Sequence, residues 1–207
     1  MNRRGIVERV LAYVPSSDTY MLADYVSRLP RVDAAVELGV GNGIVSLSLS
    51  EIANRVQAYD TSIFSIVESR KNILVRRKQN VIRLQLGEGR KGRRVSLVVA
   101  NPPYLPQPPT FRQDAADLAW NGGPDGSRVT QRMILVASKR LKEGGHLIMI
   151  VSTLQNLAVI TRSLHANGFK FRTADKCKSF YEELRVLDCE KIKSASSQGR
   201  FRRLRNS

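Results

Sequence analysis

Four consecutive residues, Asn101, Pro102, Pro103 and Tyr104, have the types and order needed to hold a flat NH2 group. The β-formers Leu97 to Ala100 lead into them, so a strand stops and a stiff, aromatic-bearing turn begins. Two prolines lock φ and remove backbone donors, which leaves the carbonyls of Asn101 and Pro102 without a local helical or sheet donor. The Asn101 side-chain oxygen and the Pro102 carbonyl can then each accept one hydrogen of a planar NH2, with Tyr104 packing on its flat face. A surface turn with a buried tyrosine would read the same way, so the surroundings decide.

A second cluster lies upstream in AAVELGVGNGIVSLSLSEIA, where a short buried strand runs into a glycine turn and then a helix. Glu37 ends the strand, Gly39, Gly41 and Gly43 form the turn, and Ile44 to Ile52 carry the helix. Glycines permit positive φ and close approach of a ligand to the backbone, while a carboxylate beside them can bind an ammonium group. Ile44 occupies the position where the dinucleotide fingerprint G-x-G-x-x-G would need its last glycine, so no pyrophosphate need be cradled. Asp60 follows about twenty residues beyond the first glycine, the offset at which an acid can reach ribose hydroxyls in nucleotide-binding folds.

These residues need a scaffold. Around residues 13–29, Asp18 or a neighbouring serine can N-cap a helix whose apolar face uses Tyr20, Met21, Tyr25 and Val26, and Pro30 ends it. Ser16, Ser17, Asp18 and Thr19 read locally as capping residues. Strand Arg55 to Tyr59, helix Ile63 to Arg76 and strand Val81 to Leu86 come next, then the loop GEGRKGRR. Its Glu88 is either within reach of an adenine or a solvated loop acid. Strand Val95 to Ala100 delivers the Asn-Pro-Pro-Tyr turn to the carboxyl end of a parallel strand, where open α/β sheets bind ligands. Residues 107–129 form a long, polar, glycine-punctuated loop with the only tryptophan, Trp120.

Helix Val129 to Leu141, closed by Gly144 and Gly145, leads to strand His146 to Ser152, with His146 structural rather than catalytic. Helix Leu154 to Ala166 and strands near Phe169 to Ala174 and Leu184 to Leu187 complete the chain. The alternation βαβαβαβαβαβ with a final hairpin predicts an α/β fold, a Rossmann-like seven-stranded, mostly parallel sheet with helices on both faces and one antiparallel strand.

A chain of 207 residues, 42% hydrophobic, supports one core and one domain, residues 1–190, followed by a basic tail over 191–207. That tail, KIKSASSQGRFRRLRNS, has six basic residues and no acid and is expected to stay disordered until it meets an anion. No apolar run is long enough to span a bilayer and MNRRGIVERV lacks the apolar core of a signal peptide, so a cytoplasmic protein is expected. The net charge of +16 attracts polyanions such as nucleic acid or the ribosome, and residues 70–94 alone hold ten Lys or Arg against Glu88. Two cysteines, Cys177 and Cys189, and two histidines without metal-ligand spacing argue against a structural zinc site. The cysteines read as ordinary thiols in late strands, facing each other only if a hairpin aligns them.

With these residues in place, the chain resembles the HemK-type methyltransferases, and more narrowly their short archaeal and eukaryotic branch. That branch methylates the glutamine of the Gly-Gly-Gln motif in class-1 translation release factors. The resemblance spans roughly Val14 to Leu187 and rests on Pro15, Asp18 and Thr19, ELGVGNG at Glu37 to Gly43, Asp60, NPPY at Asn101 to Tyr104, AWNGGPDGSRV at Ala119 to Val129, and Glu183 with Leu184. NPPY together with the downstream Trp-x-Gly-Gly-x-x-Gly is the specific combination.

The resemblance implies S-adenosylmethionine as cofactor, held by Asp18, Thr19, Glu37, Gly39, Gly41, Gly43, Asp60, Glu88 and Asn101. It also implies catalysis by Asn101, Pro102, Pro103 and Tyr104. Ser17 and Gly87 stand where the family tends to carry acids, a departure that bears on cofactor affinity. The implied partners are a class-1 release factor as substrate and a small zinc-binding activator subunit, with RNA or the ribosome met through the basic surface and tail. If strand Val81 to Leu86 is the sheet edge, its unpaired backbone groups could accept a strand from the activator.

Chemically, an amide nitrogen is a poor nucleophile because its lone pair is delocalised, so the site must orient it toward a methyl sulfonium. Two acceptors for its hydrogens favour the charge developing on nitrogen. Three other readings use the same residues differently: methylation of an exocyclic amino group in rRNA, tRNA or DNA, methylation of protein lysine, and a non-catalytic RNA-binding scaffold.

Overall fold

A computed structural model describes residues 16–107, 120–178 and 181–192. Pro15, Ala119 and the tail from 193 onward lie outside the described residues. The elements in chain order are α1 (Ser17–Ser27), β1 (Val32–Leu38), α2 (Ile44–Ile52), β2 (Ala53–Asp60), α3 (Ile63–Val75), β3 (Ile82–Leu86) and β4 (Val95–Ala100). They continue with α4 (Arg128–Arg140), β5 (Leu141–Ser152), α5 (Leu157–Ala166), β6 (Phe169–Lys178) and β7 (Glu183–Lys191).

The strands form one seven-stranded sheet in the order β3-β2-β1-β4-β5-β7-β6. Pairings from β3 through β5 are parallel, and β7 runs antiparallel to both β5 and β6. This is the expected Rossmann-like architecture, and β3 is the expected edge. Central strands are apolar on both faces because both are covered. In β4, Leu97 and Val99 face a core shared with Leu22 and Val26 of α1, Leu49 of α2 and Ile73 of α3. Val98 and Ala100 face the opposite core with Ile134 and Ala137 of α4 and Leu164 of α5. Each such large aliphatic side chain contributes about 1.5–3 kcal/mol by leaving water.

The alternation is broken at one point. Residues 87–94, between β3 and β4, form a loop with no helix, so the chain crosses from the sheet edge to its centre directly. Gly144 and Gly145 do not close a helix. α4 stops at Arg140, and Leu141 already pairs with Val95, so both glycines lie inside β5. The α5 helix starts three residues later than expected, where the Asn156 side chain accepts from Val159 N at 3.3 Å.

The apolar face read for α1 also needs correction. Val26 is buried and Met21 and Tyr25 pack against the core as expected, but Tyr20 is exposed, and Leu22, Ala23, Asp18 and Thr19 are buried instead. In the β6–β7 hairpin, Cys189 pairs with Phe171 and Cys177 with Leu184, so the register keeps the two thiols apart and both are free. His146 resumes the pairing of β5 with β4 after the irregularity that follows Leu141, and its Nδ1 lies 2.6 Å from Asp188 Oδ1, a structural contact across to β7.

Candidate active site

The sheet order changes direction between β1 and β4, and a crevice opens at their carboxyl ends, as in other open α/β sheets. β4 ends at Ala100 and hands Asn101 to this crevice. The Asn101 Nδ2 donates to Asp18 Oδ2 at 3.1 Å and to Thr19 Oγ1 at 3.3 Å. Asp18 is itself set in place, since its Oδ1 accepts from Thr19 N at 2.7 Å and from the Ser16 hydroxyl at 2.5 Å. Both donors of the amide therefore point toward α1. Its oxygen points away, and among the described residues Asn101 Oδ1 is buried with no hydrogen-bond partner. A buried acceptor left unmade costs on the order of 1–3 kcal/mol, which a donor on a ligand can recover.

The glycine turn is anchored to β2. Gly39 N and Val40 N both donate to the Tyr59 carbonyl, at 2.8 and 2.9 Å. Asp60 continues the anchoring, with Oδ2 accepting from Gly41 N at 3.0 Å and Oδ1 from Ser62 N at 2.8 Å. Burial pushes the Asp60 pKa up, opposed by these backbone donors. Gly39, Gly41 and Gly43 all have positive φ, at +82°, +52° and +87°, a conformation that glycine adopts without strain. Gly43 stands one step back at the N-cap of α2, where an added Cβ would come within 3.1 Å of Ser69 Cβ on α3.

Glu37 is 2% exposed and accepts a short hydrogen bond from the Ser46 hydroxyl. Burial pushes its pKa up to about 8, with the charge of Asp60 adding to the rise and Ser46 opposing it. A buried carboxyl of this kind becomes a strong cation site once a cation arrives.

A cavity of about 570 Å³ joins these groups. Asp18, Thr19, Glu37, Gly39, Gly41, Asp60, Glu88 and the whole Asn101–Tyr104 turn line it. Glu88 is partly exposed, and its carboxylate pairs with both Arg90 and Arg132 beside the cavity. Arg128, Val129, Arg132, Met133 and Val136 add a wall from one face of α4. Their helical spacing was open to view in the sequence, but only the strand order shows that this face fronts the crevice. Among the described residues, no group of three His, Cys, Asp or Glu could hold a metal ion.

The Trp-x-Gly-Gly-x-x-Gly segment is fastened along the acceptor edge. Leu105 N donates to the Trp120 carbonyl at 3.0 Å and Gly122 N donates back to the Leu105 carbonyl at 3.0 Å. Gly126 comes so close that an added Cβ would lie 2.4 Å from the Tyr104 carbonyl oxygen. Behind it, the buried Gln155 donates to the Gly126 carbonyl and to Thr130 Oγ1, each at 2.8 Å.

Residues 18–180 match the family model named Methyltransferase small domain. The chain belongs to this family. This methyltransferase is 25% identical over 186 residues to a Methanocaldococcus jannaschii protein that carries the name of a protein N5-glutamine methyltransferase, covering 87% of the chain and 92% of that protein. It is 27% identical over 188 residues to Methyltransferase HEMK2 of Homo sapiens, covering 84% of the chain and 87% of the relative. Its fold is shared with the Mtq2 structure solved as the E. cuniculi Mtq2–Trm112 complex, which acts in methylation of the eRF1 termination factor, at a TM-score of 0.66 and 22% identity, over 87% of this chain and 99% of that one.

The methyltransferase family implies S-adenosylmethionine, and the cavity suits it. The turn at Gly39 and Gly41 leaves room against the backbone, Glu37 offers a buried cation site, and Asn101 keeps an unused acceptor at the crevice.

Proposed function

We propose that this methyltransferase transfers a methyl group from S-adenosylmethionine to the side-chain amide nitrogen of a glutamine in a class-1 translation release factor. The observation that carries the reading is the orientation of Asn101. Asp18 and Thr19 occupy its NH2 group, so its oxygen is the end left for a substrate NH2. The names of the relatives, which refer to glutamine and to a termination factor, support the same acceptor.

In this reading Glu37, with Gly39 and Gly41, binds the amino-acid end of the cofactor, Asp60 lies nearest the ribose, and the segment at Glu88 flanks the adenine. Gly43 shapes the turn from behind. The bound cofactor supplies a methyl group on a positively charged sulfur, electrophilic enough to be attacked directly. The chain's own task is orientation. Asn101 Oδ1 and the Pro102 carbonyl accept the two hydrogens of the substrate amide, and Pro103 and Tyr104 keep the edge stiff. As the nitrogen–carbon bond forms and the sulfur–carbon bond breaks, positive charge grows on nitrogen, and the two acceptors stabilise it. The nitrogen then gives one proton to solvent, leaving the methylated amide and a neutral thioether.

The partner side of the reading has its own support. Val75 is 79% exposed and Leu86 61%, with Leu74 and Val67 also exposed on α3. Together with the open backbone of the β3 edge, this apolar face fits a small activator subunit that adds a strand. The expected boundary at residue 190 shifts, because Lys191 is the last residue of β7 and pairs with Phe169; the domain would include it, with the basic chain beyond and the stretch 70–94 meeting RNA or the ribosome.

Radiolabelled S-adenosylmethionine offered with release factor and total RNA side by side tests the acceptor. Label on the release factor is expected. Label retained only in RNA would replace glutamine with an exocyclic base amino group, the reading that the +16 charge favours.

A further inference from the structure

Arg140, the last residue of α4, is a buried cation without a carboxylate partner among the described residues. It is 1% exposed. Its Nη1 donates to the carbonyls of Gly89 at 2.6 Å and Lys91 at 2.8 Å, and lies 3.4 Å from the Tyr59 hydroxyl. Its Nη2 donates to Gln57 Oε1 at 2.7 Å, and the guanidinium carbon sits 5.5 Å from the Tyr59 ring centroid. Burying a charge is costly unless fixed dipoles replace its water, and here two loop carbonyls and Gln57 provide them for Nη1 and Nη2, while Nε has no partner among the described residues.

The loop is built around this side chain. A Cβ on Gly92 would stand 2.9 Å from Arg140 Nη2, and a Cβ on Gly89 would stand 2.9 Å from both Leu38 and Tyr59. The same loop begins with Gly87 and Glu88, which line the cavity, and Gly87 N donates to the Asp60 carbonyl at 2.7 Å. Tyr59 also lines the cavity and receives the two amides of the glycine turn. One guanidinium thus ties the path of residues 87–92 to the strand that carries Tyr59 and Asp60.

We propose that Arg140 is a positioning residue for the nucleoside half of the methyl-donor site: it touches no ligand, but sets the wall formed by Gly87, Glu88 and Tyr59. The inference rests on the S-adenosylmethionine reading of the cavity. Asp60 of β2 holds Gly87 and Arg132 holds Glu88 at the start of the loop, Arg140 holds its later part at residues 89–92, and a lysine could not reach Gly89, Lys91 and Gln57 at once.

The test compares Arg140→Lys and Arg140→Met with wild type by three readouts. Hydrogen exchange of the ligand-free protein is expected to accelerate in residues 87–94 while β4 stays protected. Calorimetry is expected to show affinity for adenosine and for S-adenosylhomocysteine falling by the same factor, about 10-fold, the order that one charge-assisted hydrogen bond is worth. In methyl-transfer assays the loss should appear in KM for the donor rather than in kcat. Should either variant fail to fold, Gln57→Leu removes one anchor of the guanidinium and is expected to give the same pattern at smaller amplitude. Faster loop exchange with unchanged affinities would overturn the proposal, as would loss of S-adenosylhomocysteine binding with adenosine binding intact. A wild-type protein that binds neither compound would overturn the donor reading itself, and the exchange of residues 87–94 would still report whether Arg140 holds the loop.

Discussion

The side-chain amide nitrogen of Asn101 lies 3.1 Å from a carboxylate oxygen of Asp18, 83 residues earlier in the chain, and that contact, with Thr19, takes up the NH2 group and leaves the buried amide oxygen without a partner among the described residues. Without it, the Asn101 side chain can turn its NH2 toward a substrate that also presents NH2. Asp18→Ala is therefore expected to lower kcat by about 100-fold, the scale of an angstrom-level misplacement of a reacting group. If Asp18 acts through Asn101, the double variant Asp18→Ala/Asn101→Ala should be no slower than Asn101→Ala alone, which a double-mutant cycle measures.

Glu37 makes the protein pH-dependent in two opposed ways. Its pKa rises from 4.5 to about 8 in the folded chain. A carboxyl raised on folding stabilises the ligand-free protein fully below its unfolded pKa, and that contribution is lost as pH rises through the folded value. Thermal melts between pH 5 and 9 should show this decline in wild type and not in Glu37→Gln. Donor affinity should run the other way, increasing by at most about tenfold per pH unit toward pH 8, because an ammonium group needs the ionised carboxylate. Calorimetry across the same range checks it, and a flat wild-type profile would contradict the assignment.

Gly126 tests the acceptor edge from behind. A Cβ there would meet the Tyr104 carbonyl at 2.4 Å, on a backbone with φ +73°. Gly126→Ala is expected to destabilise the fold by about 1–3 kcal/mol and to raise KM for the protein substrate more than for the donor. Gly144→Ala is the control, since it has φ +74° but nothing within 4 Å of an added Cβ. It should cost stability without altering either KM.

Charged substitutions at the exposed edge, Val75→Asp with Leu86→Glu, are expected to abolish co-purification of a small activator subunit. Both side chains are already exposed, so the isolated chain should fold as before, and circular dichroism checks that. Retained co-purification would move the partner to another face.

Local punctuation made part of this molecule readable from its sequence. Gly43 and Asn101 bound α2 and β4, and both elements run where the residue pattern puts them, Ile44–Ile52 and Val95–Ala100. The mostly parallel sheet followed from strand alternation, even though residues 87–94 carry no helix, whereas β3 at the edge followed from the usual order of the fold. What local pattern could not carry was long-range pairing. Asp18 and Thr19 read as capping residues because their partner, Asn101, is far away in the chain. Arg140 lies within the expected helix Val129 to Leu141, and its neighbours in sequence give no sign of its partners. Only the folded chain brings Gly89, Lys91 and Gln57 around it. Glu88 likewise was open to two readings, and only the folded chain brings Arg132 of α4 beside it at the cavity.

The acceptor is tested most directly by mass-spectrometric mapping of the methyl group on a release factor incubated with the enzyme and S-adenosylmethionine. The account predicts one added methyl on the side-chain amide of the Gly-Gly-Gln glutamine, absent when that glutamine is alanine and absent with the Asn101→Ala enzyme. A methyl group on lysine, or undiminished transfer by Asn101→Ala, would contradict it.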